Sequence, residues 1–317
     1  MNSELARNTD NKIAIGISSC LLGQKVRFDG NHKHQKFITG EFAERFYYVP
    51  VCPEMAIGLG VPRTPIHLVG NNEQQRAVNV KDESIDVTEQ LVEFGRQKAR
   101  QLQHISGYIF KKGSPSCGVF NVKIYKTPTQ VLNTGTGLYA QEIINSNPLL
   151  PVEEEGRLND LTLRANFLQR VEVYHRWQQL QSNGLSRHAL VKFHTRHKFL
   201  ILAHCEKTYR ALGRMVANKE KQSLEIVAHE YISMLMDGLK RPGSRGRHSN
   251  VLEHMFGFIK RNLDTHDKRE MREILASYRE GKVPRVVPVT LLKHYLRKFP
   301  AQYLLQQYYL QHGYPDV

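Results

Sequence analysis

Apolar and polar positions follow two regimes along this chain. Up to about residue 152, short apolar runs alternate with stretches of helical periodicity. Ile13-Ala14-Ile15-Gly16-Ile17, Tyr47-Tyr48-Val49-Pro50-Val51 and Tyr108-Ile109-Phe110 are each bounded by turn residues. Such runs read as buried strands of a parallel sheet. Helical patterns fall near residues 35–45, 88–104 and 138–147, and Pro53 suits a first helical position, where its missing N–H costs nothing. Residues 122–125 and 149–152 read as further short strands. Alternating strands and helices predict an α/β domain with a Rossmann-like, mostly parallel sheet.

The acidic run Glu153-Glu154-Glu155-Gly156 breaks this pattern, and helical periodicity then takes over. It predicts helices over about 158–177, 187–218, 221–239, 249–263, 268–279 and 288–311, with Ser182-Asn183-Gly184 as a break. Aromatic and aliphatic residues recur every three or four positions, as in an all-α helical bundle. The expected organisation is a domain over 1–156, a helical connector over 157–184 and a basic α-helical domain over 185–317.

Composition narrows the class. With 317 residues, 40% hydrophobic and 24% charged, the chain can bury two ordinary cores. No apolar stretch reaches membrane-spanning length, and Met1–Asp10 lacks the apolar centre of a secretory signal. A cytoplasmic protein with no membrane partner is expected. Four cysteines are too few for a disulfide scaffold, which leaves them buried, catalytic or metal-binding roles. The net charge of +15 is uneven. Residues 1–150 carry 17 Lys and Arg against 13 Asp and Glu, and residues 151–317 carry 28 against 17. The basic second half suggests a polyanion, most plausibly nucleic acid, or simply a solubilising surface. The stretch Lys240-Arg241-Pro242-Gly243-Ser244-Arg245-Gly246-Arg247-His248 contributes four of these cations and no acid.

Three of the cysteines close apolar runs: Cys20 after the first, Cys52 after the second, and Cys117 a short loop beyond the third. Ligands in parallel sheets bind at carboxyl strand ends. Three thiols at one sheet edge suit a metal or cluster site, with buried core cysteines as the alternative. Their spacings of 32 and 65 residues are not the local CxxC pattern of a zinc finger or ferredoxin. Three protein ligands would leave one position open for catalysis. Glu54 is either an acid favoured by a helix N-terminus or a general base beside that position. Ser114 is either a turn serine or a donor to substrate. Arg27, Asp29 and Lys112 are candidate pocket residues, and Lys111 could also meet an anion. Cys205 reads as a helical core residue. His188, His194, His197 and His204 fit packing or RNA contact rather than a ligand set. Gly135-Thr136-Gly137 reads as a turn or, less strongly, a phosphate cradle.

Ser18-Ser19-Cys20-Leu21-Leu22-Gly23 with Val26-Arg27-Phe28-Asp29-Gly30, Val51-Cys52-Pro53-Glu54, and Lys112-Gly113-Ser114-Pro115-Ser116-Cys117-Gly118 together resemble the thiouracil desulfidase family. The resemblance spans residues 11–155; residues 187–311 resemble a second, YbgA-like helical family, a fusion like that of RNA 4-thiouridine desulfidases. It implies a [4Fe-4S] cluster held by Cys20, Cys52 and Cys117 with one open iron site, and Glu54 and Ser114 as the catalytic pair. Phe28 stands where the family often has Tyr, so no polar role is expected there. The implied reaction is non-redox desulfuration of 4-thiouridine in RNA, with thiolated tRNA as partner. Two alternatives remain: a desulfidase of free thiolated bases or nucleosides, and a non-catalytic cluster- or zinc-containing RNA-binding protein.

Overall fold

The computed structural model describes residues 12–70, 74–127, 130–217 and 222–311. Met1–Asp10, considered above for a signal, lies outside them, as do Asn218 and Lys221 at expected helix ends. The chain divides after Asn159 into two compact units.

The first unit is α/β. Its main sheet has strand order β2-β1-β5-β8, with β1 at Ile13–Ser18, β2 at Phe46–Val51, β5 at Tyr108–Phe110 and β8 at Val152–Glu154. All three pairings are parallel. Ile15, Ile17, Tyr108, Ile109 and Phe110 are fully enclosed, as runs covered on both faces should be. The helices Thr88–Gln101 and Leu138–Ser146 pack against each other within this unit.

A second sheet went unpredicted. It joins β3 (Ile66–Gly70), β4 (Gln75–Asn79), β6 (Val122–Thr127) and β7 (Gln130–Gly135) in the order β4-β3-β6-β7. Its pairings are antiparallel except β3 with β6. The residues of β7 are almost all exposed, so no apolar alternation marks it. The helix expected over 35–45 is split at Gly40, whose φ of −98° and ψ of −103° are not helical, into Lys36–Thr39 and a 3-10 turn at Glu41–Glu44.

The second unit is all-α. Its helices span Leu161–Ser182, Arg187–His204, Glu206–Ala217, Leu224–Gly238, Arg245–Ile259, Thr265–Arg279 and Val286–Lys298, followed by single turns at Gln302–Leu305 and Tyr308–Gln311. The segment expected as a connector, 157–184, is mostly the first of these helices. Its Trp177 is buried, stacked on Tyr231 at 5.9 Å and edge-on to Phe193 at 5.5 Å, so it belongs to the core of this unit. The helix expected over 187–218 breaks at Cys205, whose backbone is extended (φ −152°, ψ 110°). Cys205 is therefore a half-exposed junction residue rather than core. Its thiol is lowered from its usual range, chiefly by hydrogen bonds from Thr208 at the start of the next helix.

His194 and His204 are packing residues here. His194 Nδ1 meets the Tyr231 hydroxyl at 3.2 Å, and His204 lies between the Arg241 carbonyl and Gln169, each at 2.8 Å. Among the described residues, no helix is long and apolar enough to cross a membrane.

Candidate active site

Three neighbouring parallel strands, β2, β1 and β5, deliver the three cysteines to one edge of the main sheet. Cys20 follows β1 in a 3-10 turn that Gly23 closes in the left-handed region at φ 92°. Cys52 follows β2 and caps the turn Pro53–Ala56, so Glu54 falls in the first helical turn. Cys117 follows β5 through the loop 111–116. Cys20, Cys52 and Cys117 line one cavity of about 310 Å³, together with Glu54 and Ser114.

The Glu54 carboxylate is held from both sides. Its Oε2 accepts from Arg63 Nη2 at 2.6 Å and Nε at 3.1 Å, a two-pronged grip by a guanidinium fork. Arg63 is fixed in turn by the Gly60 and Val26 carbonyls. On the other edge, Glu54 Oε1 accepts from Ser116 Oγ at 2.6 Å and from Ser114 Oγ at 3.5 Å. The two serine hydroxyls are 3.0 Å apart, and Ser114 Oγ also accepts from the Cys117 N–H at 3.1 Å. Ser114 thus both caps the cysteine loop and belongs to a hydrogen-bonded chain ending on Glu54.

The cysteine loop is fastened by groups that read as unremarkable in sequence. Glu155 Oε2 accepts from the Lys112 N–H at 2.6 Å, and its Oε1 pairs with Lys111 Nζ at 2.7 Å. Glu154 Oε1 accepts from the Val119 and Phe120 N–H groups at 2.8 and 3.1 Å. The acidic run taken as a domain break therefore satisfies the buried backbone around Cys117. Gly137 is a packing residue rather than a phosphate cradle. Its N–H goes to the Gly118 carbonyl, and the N–H groups of Leu138 and Ala140 go to the Pro115 and Ser116 carbonyls, so the helix start is occupied by the loop itself. A Cβ at position 137 would lie 2.6 Å from the Ser116 carbonyl carbon.

Arg27 and Lys112 line the cavity, as do Lys33 and Lys111. Asp29 is not among the lining residues; it pairs with Arg27 at 3.0 Å and accepts from the Asn31 N–H. Glu54 is the only lining acid and is engaged by Arg63; among the described residues neither Lys33 nor Lys112 has a carboxylate partner. The cavity is therefore electropositive. Sequence reasoning missed Arg63 and Ser116. Ser116 sits inside a motif already singled out, whereas Arg63 lies in a Gly- and Pro-rich stretch with nothing to mark it.

Burial pushes all three thiols up: Cys20 to about 11, with Lys111 partly opposing, and Cys52 and Cys117 in the same direction. Each is within electrostatic reach of another of the trio. Among the described residues no three His, Cys, Asp or Glu side chains are placed to hold a single metal ion. A single ion gathers its thiolates about one point, whereas an iron–sulfur cluster takes each thiolate on its own iron, so its ligands ring a volume. Three desolvated thiols line one electropositive cavity, and thiolates are the donors that iron–sulfur clusters take.

The 2-thiouracil desulfurase family matches residues 15–155, and a family of proteins of unknown function, DUF1722, matches residues 198–315. The chain is 32% identical over 156 residues to uncharacterized protein YbgA of Escherichia coli (strain K12), covering 49% of this chain and 89% of that protein. Residues 15–155 of the chain belong to the 2-thiouracil desulfurase family. Its first unit is a desulfidase domain, and the DUF1722 match falls within the helical unit. Uncharacterized protein YbbK of Bacillus subtilis (strain 168) is also 32% identical, over 112 residues, covering 33% of this chain and 72% of that protein. A solved structure, the [4Fe-4S]-dependent thiouracil desulfidase TudS, shares 29% identity over 48% of this chain and 97% of its own, with a TM-score of 0.38.

Proposed function

We propose that the chain is a [4Fe-4S]-dependent desulfidase that converts 4-thiouridine in RNA, tRNA above all, to uridine and hydrogen sulfide. One observation carries the reading: Cys20, Cys52, Cys117, Glu54 and Ser114 meet in a single cavity. The three cysteines would hold the cluster, which supplies a thiophilic Lewis acid at an iron without a protein ligand. The chain's own residues do the rest. Glu54 Oε1 takes a proton from a water that attacks C4 of the base. Arg63 keeps Oε2 occupied and the carboxylate oriented. The Ser116 and Ser114 hydroxyls carry the proton towards the departing sulfur. Water adds its oxygen to carbon, sulfur leaves as sulfide, and no electrons change hands.

Two features favour RNA over a free base. Lys33 and Lys112 stand at the cavity without acid partners, where a phosphate would sit, and the second half of the chain has a net charge of +11. Phosphate contacts give affinity that falls steeply with salt and carry little sequence information. The target base must leave its stack to enter the cavity.

Anaerobically reconstituted full-length protein, incubated with 4-thiouridine-containing tRNA and separately with 4-thiouracil, tests this directly. Loss of the near-ultraviolet thiocarbonyl absorption with stoichiometric sulfide is expected from both, with tRNA the better substrate at low salt. Turnover of 4-thiouracil alone would reduce the reading to a free-base desulfidase. No sulfide from either would leave an RNA-binding protein without this chemistry.

A further inference from the structure

Neither cluster binding nor proton transfer explains Phe28, which lines the cysteine cavity and is the sole aromatic among its described lining residues. The side chain is 37% exposed, so it contributes little to the core. Among the described residues it stacks on no other aromatic ring. The cavity is otherwise walled by charged and polar groups and by aliphatic ones such as Val26, Pro65, Ile66 and Pro115, none of which offers a π face.

The ring is exposed yet firmly mounted. The Arg27 N–H donates to the Asn31 carbonyl at 3.2 Å and the Gly30 N–H to the Arg27 carbonyl at 2.9 Å, closing a turn that needs glycine at φ 73°. The Phe28 carbonyl accepts from the Arg63 N–H at 2.9 Å, and the Val26 carbonyl accepts from Arg63 Nη2 at 3.1 Å. Arg63 also grips Glu54, so the turn that carries Phe28 and the carboxylate are fixed to the same residue. Asp29, which does not line the cavity, pairs with Arg27 at 3.0 Å. The Arg27 guanidinium lies 5.2 Å from the Phe28 ring centroid, within reach of a cation–π attraction.

We propose that Phe28 is the stacking platform for the substrate base, and that through it the cavity selects planar, aromatic thiopyrimidines over puckered thiocarbonyl compounds. The inference rests on the desulfidase reading above and gives it a substrate class. A pyrimidine has flat π faces and a polar edge. The cysteines, Glu54 and Ser114 provide for the edge that carries sulfur, and Phe28 provides for a face. Arg27 occupies one side of the phenyl ring and leaves the other to the base. Aromatic stacking is indifferent to base identity, so sulfur is read at the edge and planarity at the ring. A base drawn out of RNA loses its stacked neighbours, and Phe28 takes the place of one.

Steady-state desulfuration by reconstituted full-length protein, with 4-thiouracil and with 5,6-dihydro-4-thiouracil, tests it. The dihydro compound keeps the thiocarbonyl and loses the planar ring. Phe28→Ala should raise KM for 4-thiouracil by roughly 5–150-fold, the span of base–aromatic stacking. Its kcat should change far less, because the stack is present before and during the reaction. KM for the dihydro compound should barely move, so the ratio between the two substrates shrinks. Phe28→Trp, which keeps a π face, should hold that ratio near the wild-type value. Equilibrium dialysis of uracil against the same proteins should show its affinity reduced in Phe28→Ala by a similar factor, and the visible absorbance of the cluster should persist in both variants. Unchanged KM and uracil affinity in Phe28→Ala, or equal losses on both substrates, overturns the proposal, while wild-type turnover keeps the desulfidase reading. No sulfide from the wild type overturns that reading, and uracil dialysis then decides by itself whether Phe28 holds a base.

Discussion

The Glu54 carboxylate is held from both sides, as the proposed general base would need to be. Arg63 holds one oxygen and Ser116 the other, with side-chain exposures of only 7% for Arg63 and 14% for Glu54. Glu54→Gln keeps the size and loses the base. Turnover of 4-thiouracil should fall by roughly 10²–10⁴-fold, the usual span for general acid–base catalysis, while the visible absorbance of the cluster persists; a fall in both would assign Glu54 to cluster retention. Arg63→Ala leaves a nearly buried carboxylate without its partner. For fully buried pairs such a loss costs about 3–5 kcal/mol, so the first unit should melt measurably earlier, and activity should fall with it. Ser116→Ala removes a 2.6 Å hydrogen bond to Glu54 and should cost less stability, about 0.5–1.5 kcal/mol, with kcat reduced more than KM changes.

At the scale of elements, the site is an edge phenomenon. Three parallel strands stop in register and each hands a cysteine to the same space. The Cys117 loop hangs from two supports, the N-terminal turn of the helix Leu138–Ser146 and the carboxylates of Glu154 and Glu155. Gly137→Ala forces a methyl group into the Ser116 peptide, and overpacking of this kind costs about 1–3 kcal/mol. Because the displaced group is the cysteine loop, iron content after reconstitution should fall even in protein that remains folded. Wild-type iron loading with native stability would show that the loop accommodates the methyl group freely.

At the scale of the whole molecule, the buried histidines of the helical unit make its stability sensitive to acid. Burial holds His194 down to about 4, with Lys198 adding to the effect, and His175 and His248 are lowered in the same direction, burial again first. An unfolded chain protonates histidine near pH 6.5. Between these values the unfolded state binds more protons, so stability is complete above about pH 6.5 and declines as pH falls towards 4. His194 alone accounts for roughly 3 kcal/mol of that decline. Thermal unfolding followed between pH 7 and pH 4 should show this loss, and His194→Gln should flatten it. At the same scale, tRNA affinity should fall by orders of magnitude between about 50 and 200 mM salt if several phosphates are contacted, whereas a salt-independent affinity would remove the helical unit from RNA binding.

Much of this was legible before any coordinates. The runs ending at Cys20 and Cys52, and the loop after Phe110, are contiguous in sequence, and a strand covered on both faces can hardly be anything but apolar. The helical unit announced itself through periodicity, although Cys205 was misread, because a junction between two helices carries no signal when residues on both sides are good helix formers. Strand β7 was invisible, since exposed Thr, Asn and Gln keep no apolar alternation. The capping role of Glu154 and Glu155 was invisible for another reason: an acidic run describes solvated loops far more often than buried hydrogen-bond acceptors.

The sequence by itself determined the two classes of fold, the three thiols at strand ends and the placing of Glu54 and Ser114 beside them. Each of these is local, set by apolar period or by a few adjacent residues. Only the tertiary structure decided that the thiols share one cavity and that Arg63 and Ser116 grip Glu54. These depend on segments nine to dozens of residues apart meeting across a packed core, and side-chain chemistry along a chain does not say which distant groups will be brought face to face.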